Sequence, residues 1–195
     1  MNRLVAAAFA AALLAGCAGA PLREAVPVPW PERRAALQAD DDFALTGRVA
    51  ISASGAGLNA SLRWRQEGDV SHVSLDGPLG VGGAEVEVHG ERIDLRTSRG
   101  EHLEDGTARA ELERRLGFPL PLAALRYWVR GVPAPGQAAD EVVDEAHQRL
   151  ASLAQDGWQV RYADYVGGVA GDLPRRLSAE RGDTRVRLVI DRWQP

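Results

Sequence analysis

From Phe43 the chain alternates between apolar and polar positions. Phe43, Leu45, Gly47, Val49 and Ile51 share one face; Ala44, Thr46, Arg48 and Ala50 share the other. A period of two predicts a half-buried β-strand. After Ser54-Gly55-Ala56-Gly57 the pattern returns as Leu58, Ala60, Leu62 and Trp64 against Asn59, Ser61, Arg63 and Arg65. Gln66-Glu67-Gly68-Asp69 reads as a hairpin turn. Further strands are marked by Val73 and Leu75, by Ala84, Val86 and Val88, and by Ile93, Leu95 and Thr97. Short alternating strands with close turns predict an antiparallel meander curling into a barrel or half-barrel.

The middle of the chain changes period. Thr107 is placed to cap a helix carrying Ala108, Leu112 and Leu116, ended by Gly117. After Phe118-Pro119-Leu120-Pro121, a second amphipathic helix carries Leu122, Leu125, Trp128 and Val129, ended by Gly131. Val132 to Gly136 reads as a loop. Strands resume at Val142-Val143, Leu150–Ala154 and Trp158/Val160/Tyr162, with Tyr165 just beyond. A last hairpin turns at Arg181-Gly182-Asp183 between Leu177–Glu180 and Val186/Leu188/Ile190. The predicted fold is mainly β with helices: one antiparallel sheet, curled into a barrel or half-barrel and covered by the central helices. It forms a single domain from Trp30 to Pro195, opened by a short helix over Pro31–Ala39. Such a curled sheet can enclose an apolar space.

The first residues carry a different signal. One positive charge at Arg3 precedes the apolar run Leu4–Leu14 and the small residues Ala15-Gly16, which reads as a secretory signal peptide over residues 1–16. As a helix that run would rise about 16 Å, too short for a ~30 Å hydrocarbon core. Leu14-Ala15-Gly16-Cys17 resembles the lipobox of bacterial lipoproteins, and Cys17 is the only cysteine. The resemblance implies that Cys17 carries lipid after cleavage, and Ala18 implies delivery to the outer membrane. Residues 17–29, with Pro21, Pro27 and Pro29, then read as a semi-rigid tether.

Composition narrows the chemistry. Of 195 residues, 45% are apolar and 26% charged, which is globular usage. All 23 basic residues are Arg, so Schiff-base and Walker-lysine chemistry are excluded. A net charge of −4 argues against a nucleic-acid partner. No nucleophile–base motif is present, and His72, His89, His102 and His147 lack metal-ligand spacing. Glu85, Glu87, Glu91, Glu101 and Glu104 read as solvent-face charges, Asp40-Asp41-Asp42 as a solvated turn, and most of the five Trp as core. The chain is therefore read as a non-enzyme without cofactor or metal. Gly77-Pro78-Leu79-Gly80 stands apart, because a turn tip normally carries polar residues.

In this order and spacing, several segments resemble the LolB family of outer-membrane lipoprotein receptors. They are Trp30, Trp64-Arg65-Gln66-x-Gly68, Gly77-Pro78-Leu79-Gly80 and Leu116-Gly117-x-Pro119-Leu120-Pro121-Leu122. Leu125-x-x-Trp128-Val129-x-Gly131, Gln155-x-Gly157-Trp158-x-Val160-x-Tyr162, Leu173-Pro174 and Arg187-Leu188-x-Ile190-x-x-Trp193 continue the series. The resemblance implies that the β-barrel is antiparallel and unclosed, a half-barrel under a helical lid, and that the protein is a monomeric, lipid-anchored chaperone on the periplasmic face of the outer membrane. Such a chaperone accepts lipoproteins from a LolA-like carrier and inserts them into the inner leaflet. It also implies that Leu79, in the Gly77–Gly80 loop, serves membrane insertion. An acyl-chain cavity is expected from Trp64, Leu75, Leu122, Leu125, Trp128, Val129, Trp158 and Leu188. Two other readings use the same half-barrel without lipoprotein transfer: a binder of a small apolar ligand, and a structural assembly factor.

Overall fold

The computed structural model describes residues 27–53, 56–77, 82–168 and 171–194. Cys17, most of the tether and Pro78, Leu79 and Gly80 lie outside the described residues. Eleven strands form one sheet: β1 (Phe43–Ala53), β2 (Ala56–Glu67), β3 (Val70–Asp76), β4 (Ala84–His89), β5 (Arg92–Thr97), β6 (His102–Glu104), β7 (Ala139–Asp144), β8 (Arg149–Gln155), β9 (Trp158–Gly168), β10 (Gly171–Arg181) and β11 (Thr184–Gln194). Among the described residues, three helices accompany them: α1 (Trp30–Ala39), α2 (Asp105–Leu116) and α3 (Leu122–Trp128).

The strand order is β6-β5-β4-β3-β2-β1-β11-β10-β9-β8-β7. Every pairing is antiparallel. The chain meanders outward through six strands, crosses through α2 and α3, and meanders back to pair its last strand with its first. The edges β6 and β7 do not meet, so the sheet is unclosed, as the family resemblance implies; strand periodicity alone leaves barrel and half-barrel open. The alternation of β2 survives in burial: Ala60, Leu62, Trp64 and Gln66 are buried, whereas Asn59, Ser61, Arg63, Arg65 and Glu67 are exposed.

The central pair carries a bulge. Thr46 opposes Arg192 but Gly47 opposes Ile190, so Asp191 is the extra residue, and its carboxylate meets Arg48 at 2.8 Å. Gly47 faces the bulge so closely that an added Cβ would fall on the Val189 carbonyl oxygen. Both contacting groups are backbone of a paired strand, so neither yields cheaply. Gly47→Ala is expected to lose about 2–3 kcal/mol through forced backbone shifts, read as a lower urea midpoint at unchanged slope.

Several local expectations are corrected. Thr107 does not cap α2: the helix begins at Asp105, and the Thr107 hydroxyl donates back to the Glu104 carbonyl at 2.6 Å. The end is as expected, with Gly117 at φ 83° and its N–H on the Glu113 carbonyl. The second helix stops at Trp128, with Val129 as its cap. Val132–Ala134 is a loop as expected, and it is buried, with Val132 at 0% exposure. Tyr165 lies within β9, not beyond it. Asp40 is not merely solvated, because its carboxylate pairs with the buried Arg130 guanidinium at 2.7 Å. Burial pulls that guanidinium below its ordinary pKa, and Asp40 opposes the shift.

Helix α1 docks at the β7–β8 edge through polar contacts. The Trp30 indole N–H donates to Glu141 at 2.9 Å, its backbone N–H to Gln148 at 2.8 Å, and Arg34 pairs with Glu141 at 2.7 Å. Arg33, 9% exposed, donates to the Asp172 carbonyl.

Candidate functional site: an apolar hollow under the helices

Buried apolar side chains form two clusters, not one. The larger joins β1, β2 and β8–β11 to the α2–α3 connection, α3 and the segment after it. The smaller joins β4 and β5 to α2 through Val86, Ile93, Leu95, Ala108 and Leu112. Residues of both clusters line a hollow of about 390 Å³. This is within the size range of ligand sites.

All eight side chains expected at a cavity lie on this wall. Trp64 and Leu75 come from β2 and β3, Leu122, Leu125 and Trp128 from α3, and Val129 from its cap. Trp158 and Leu188 come from β9 and β11. The wall also includes Ala60, Leu62, Leu112, Phe118 and Ala179. Ala60 and Leu62 belong to the alternating face already read from the sequence. Phe118 carried no such signal, because it sits in a proline-rich turn. Gly77 closes the described end of β3, and the rest of the predicted insertion loop lies outside the described residues.

The wall is nearly free of polar atoms. Among its described residues only Ser71 and Arg115 bear a hydroxyl or a charge. Both are engaged elsewhere: Ser71 donates to the Gln66 side-chain oxygen Oε1 at 2.5 Å, and Arg115 donates to Glu111 at 2.5 Å and Glu101 at 2.7 Å. An apolar guest would therefore strand no polar partner on entry.

Two buried glutamines hold two of the wall's three tryptophans, Trp64 and Trp128. Gln66, 2% exposed, accepts from the Trp64 indole N–H at 3.3 Å and donates to the Gly68 carbonyl at 2.9 Å. Gln155, also 2% exposed, accepts from the Trp128 indole N–H at 2.8 Å and from the Ala134 N–H at 2.9 Å. Its amide donates to the Ala134 carbonyl at 2.9 Å. This is how a backbone segment without secondary structure stays buried. Trp128 and Phe118 pack on Trp158, with ring centroids at 6.2 and 5.6 Å. The aromatic wall is thus fixed in orientation before any guest arrives.

The titratable groups do not converge on a catalytic arrangement. The four histidines each lie beside a carboxylate at the surface. Asp94, His102 and Glu104 cluster at the β5–β6 edge, where His102 Nε2 and Asp94 Oδ2 lie 2.6 Å apart at the surface. Glu111, accepting from Arg114 and Arg115 on α2, is held down to about 2. Of the predicted solvent-face acids, Glu101 is tied to Thr97 and Arg115.

Sequence and fold comparisons agree with this geometry. The family model described as outer membrane lipoprotein LolB matches residues 41–193. The outer-membrane lipoprotein LolB of Nitrosococcus oceani is 40% identical over 187 residues, covering 93% of this chain and 92% of that protein. The same protein of Pseudomonas savastanoi is 39% identical over 189 residues, covering 94% and 92%. Among solved structures, a LolA superfamily protein from Nitrosomonas europaea superposes with a TM-score of 0.54 at 11% identity. That match covers 86% of this chain and 94% of that one. A putative outer membrane lipoprotein-sorting protein domain from Vibrio parahaemolyticus gives 0.54 at 10% identity, covering 84% and 89%. The fold is thus shared at very low identity, while the family model and the curated relatives match across most of the sequence: the chain belongs to the outer membrane lipoprotein LolB family.

Proposed function

We propose that this chain is a lipid-anchored receptor of the outer membrane. It takes lipoproteins from a soluble LolA-like carrier, shelters their acyl chains in the hollow, and releases them into the inner leaflet. The observation that carries this reading is the vacancy itself. Apolar walls left unpacked forfeit dispersion contacts, and a residual cavity costs about 24 cal/mol per Å³. A fold that keeps 390 Å³ open gives up stability that a tail entering the space would restore.

Anchor and tether complete the device. Residues 1–16 serve as a signal peptide, Cys17 carries the lipid, and residues 17–29 let the domain from Trp30 onward move above the bilayer. The twelve residues Ala18–Pro29 span about 40 Å when extended. No step needs catalysis or a cofactor. Cargo moves down an affinity gradient, from carrier to hollow to membrane, because each buried methylene contributes ~0.8 kcal/mol and the bilayer buries the whole chain. The protein acts as a monomer in this scheme.

Leu79 is the residue that meets the bilayer. Burying one Leu contributes ~1.5–3 kcal/mol, which is weak alone but sufficient for a domain already held at the surface. In a reconstituted assay with loaded carrier and acceptor vesicles, Leu79→Glu is expected to slow cargo insertion about tenfold while uptake from the carrier is unchanged. Undiminished insertion would remove the loop from the mechanism. Failure of the unaltered chain to take any lipoprotein from the carrier would overturn the receptor reading in favour of a small apolar ligand.

A further inference from the structure

A second recess, of about 250 Å³, adjoins the hollow and shares Gly82 and Arg115 with it. Its chemistry is the opposite. Arg99 from the β5–β6 turn, Arg114 and Arg115 from the last turn of α2, and Thr97 and Ser98 line it. Arg114 and Arg115 share Glu111, at 2.6 and 2.5 Å, and Arg115 also reaches Glu101 at 2.7 Å. Arg99 has no carboxylate partner among the described residues. Three guanidinium groups against two carboxylates leave one positive charge beside an apolar space.

We propose that this recess is a headgroup site for an anionic phospholipid of the membrane that receives the cargo. The inference rests on the transfer reading above. Its position supports it: Gly82 is three residues from Leu79, so the recess lies within about 11 Å of chain from the inserting residue. A domain held at the bilayer near this point of the chain would keep the recess within reach of the phosphates.

Its donors fit as well. Arg114 bonds Glu111 through Nε and Nη2, which leaves Nη1 to point at a second anion. Arg99 keeps its whole fork for a phosphodiester. The Ser98 hydroxyl oxygen accepts from the Gly83 N–H at 3.1 Å, which leaves its proton to donate. The ester-linked glyceryl group of a lipoprotein carries no anion, so the charge is matched to the host bilayer and not to the cargo. A phosphate held here would keep the apolar opening turned toward the membrane during release.

The test uses the full chain carrying Cys17→Ser, so that an acyl anchor does not dominate binding. Vesicles of phosphatidylcholine alone are compared with vesicles containing one part phosphatidylglycerol in three. Arg99→Gln is expected to weaken binding to the anionic vesicles about fivefold, and Arg99→Gln with Arg114→Gln about tenfold. Both losses should vanish at high salt and be absent on phosphatidylcholine. Unchanged affinity for anionic vesicles in the double variant, with unchanged salt dependence, overturns the headgroup site. The loop is read separately on phosphatidylcholine, where Leu79→Glu is expected to reduce binding. Failure there sinks the loop's role without touching the arginine result. Both arginines are exposed, so folding is checked only by an unchanged unfolding midpoint.

Discussion

Ala60→Phe combined with Ala179→Phe is expected to abolish acyl-chain uptake while raising the unfolding temperature. The two alanines sit on β2 and β10 and both line the hollow. At 8% and 3% exposure, their methyl groups face the space and not the outer surface. Two phenyl rings placed there recover contacts that the empty wall lacks, and cavity filling commonly adds about 0.5–2 kcal/mol. The same rings exclude guest carbon. Keeping out only four methylenes costs a fatty acid ~3 kcal/mol, roughly a 200-fold loss of affinity.

Opposite signs in the two readouts make the result specific. A variant that merely misfolds loses binding and stability together. A titration with a fluorescent fatty acid and a calorimetric melt on the same sample separate the cases. Retained uptake by a well-folded double variant would show that tails bind elsewhere, and the receptor reading would lose its cavity.

The sequence foretold the parts of this architecture that depend on local periodicity. Leu58 to Trp64 alternate because one face of β2 meets the hollow and the other meets water, and that choice repeats every two residues. Ala108, Leu112 and Leu116 recur at helical spacing for the same reason. What stayed hidden depends on distant partners. β6 has three residues, too few to show a period. Arg33 and Arg130 look like surface cations until the Asp172 carbonyl and Asp40, 139 and 90 positions away, take them inside. Val132–Ala134 looks like an exposed loop because nothing local reveals that Gln155 will satisfy its backbone. The hollow is the clearest case. Its wall residues are those of any packed core, and whether facing layers touch or stand apart is set by how the sheet curls around α2 and α3. The family resemblance, not periodicity, raised the expectation of a space there.

Gln155→Leu is the substitution that should cost most. The side chain is close to isosteric, so little volume changes and the effect isolates hydrogen bonding. Its carbonyl oxygen receives the Trp128 indole N–H and the Ala134 N–H, and its amide serves the Ala134 carbonyl. Leucine leaves all three groups without partners. Trp128 is 1% exposed and Ala134 7%, so water reaches neither without a local opening. Each stranded group costs roughly 1–3 kcal/mol, which places the total at about 3–9 kcal/mol, a large share of a typical stability of about 5–15 kcal/mol. The loss has a direction as well as a size. Relief comes most cheaply by letting the segment after α3 move outward, which carries Trp128 away from Trp158 and opens the covering side of the hollow. Hydrogen exchange should therefore quicken first at Val129–Ala134, ahead of β1, β2 and β11 at the centre of the sheet. Gln155→Glu at neutral pH keeps the acceptor but loses the donor and buries a charge, so it should be no milder. A Gln155→Leu protein melting within about 1 kcal/mol of the unaltered chain, with unchanged exchange in that segment, would show that Gln155 does not hold the cover in place.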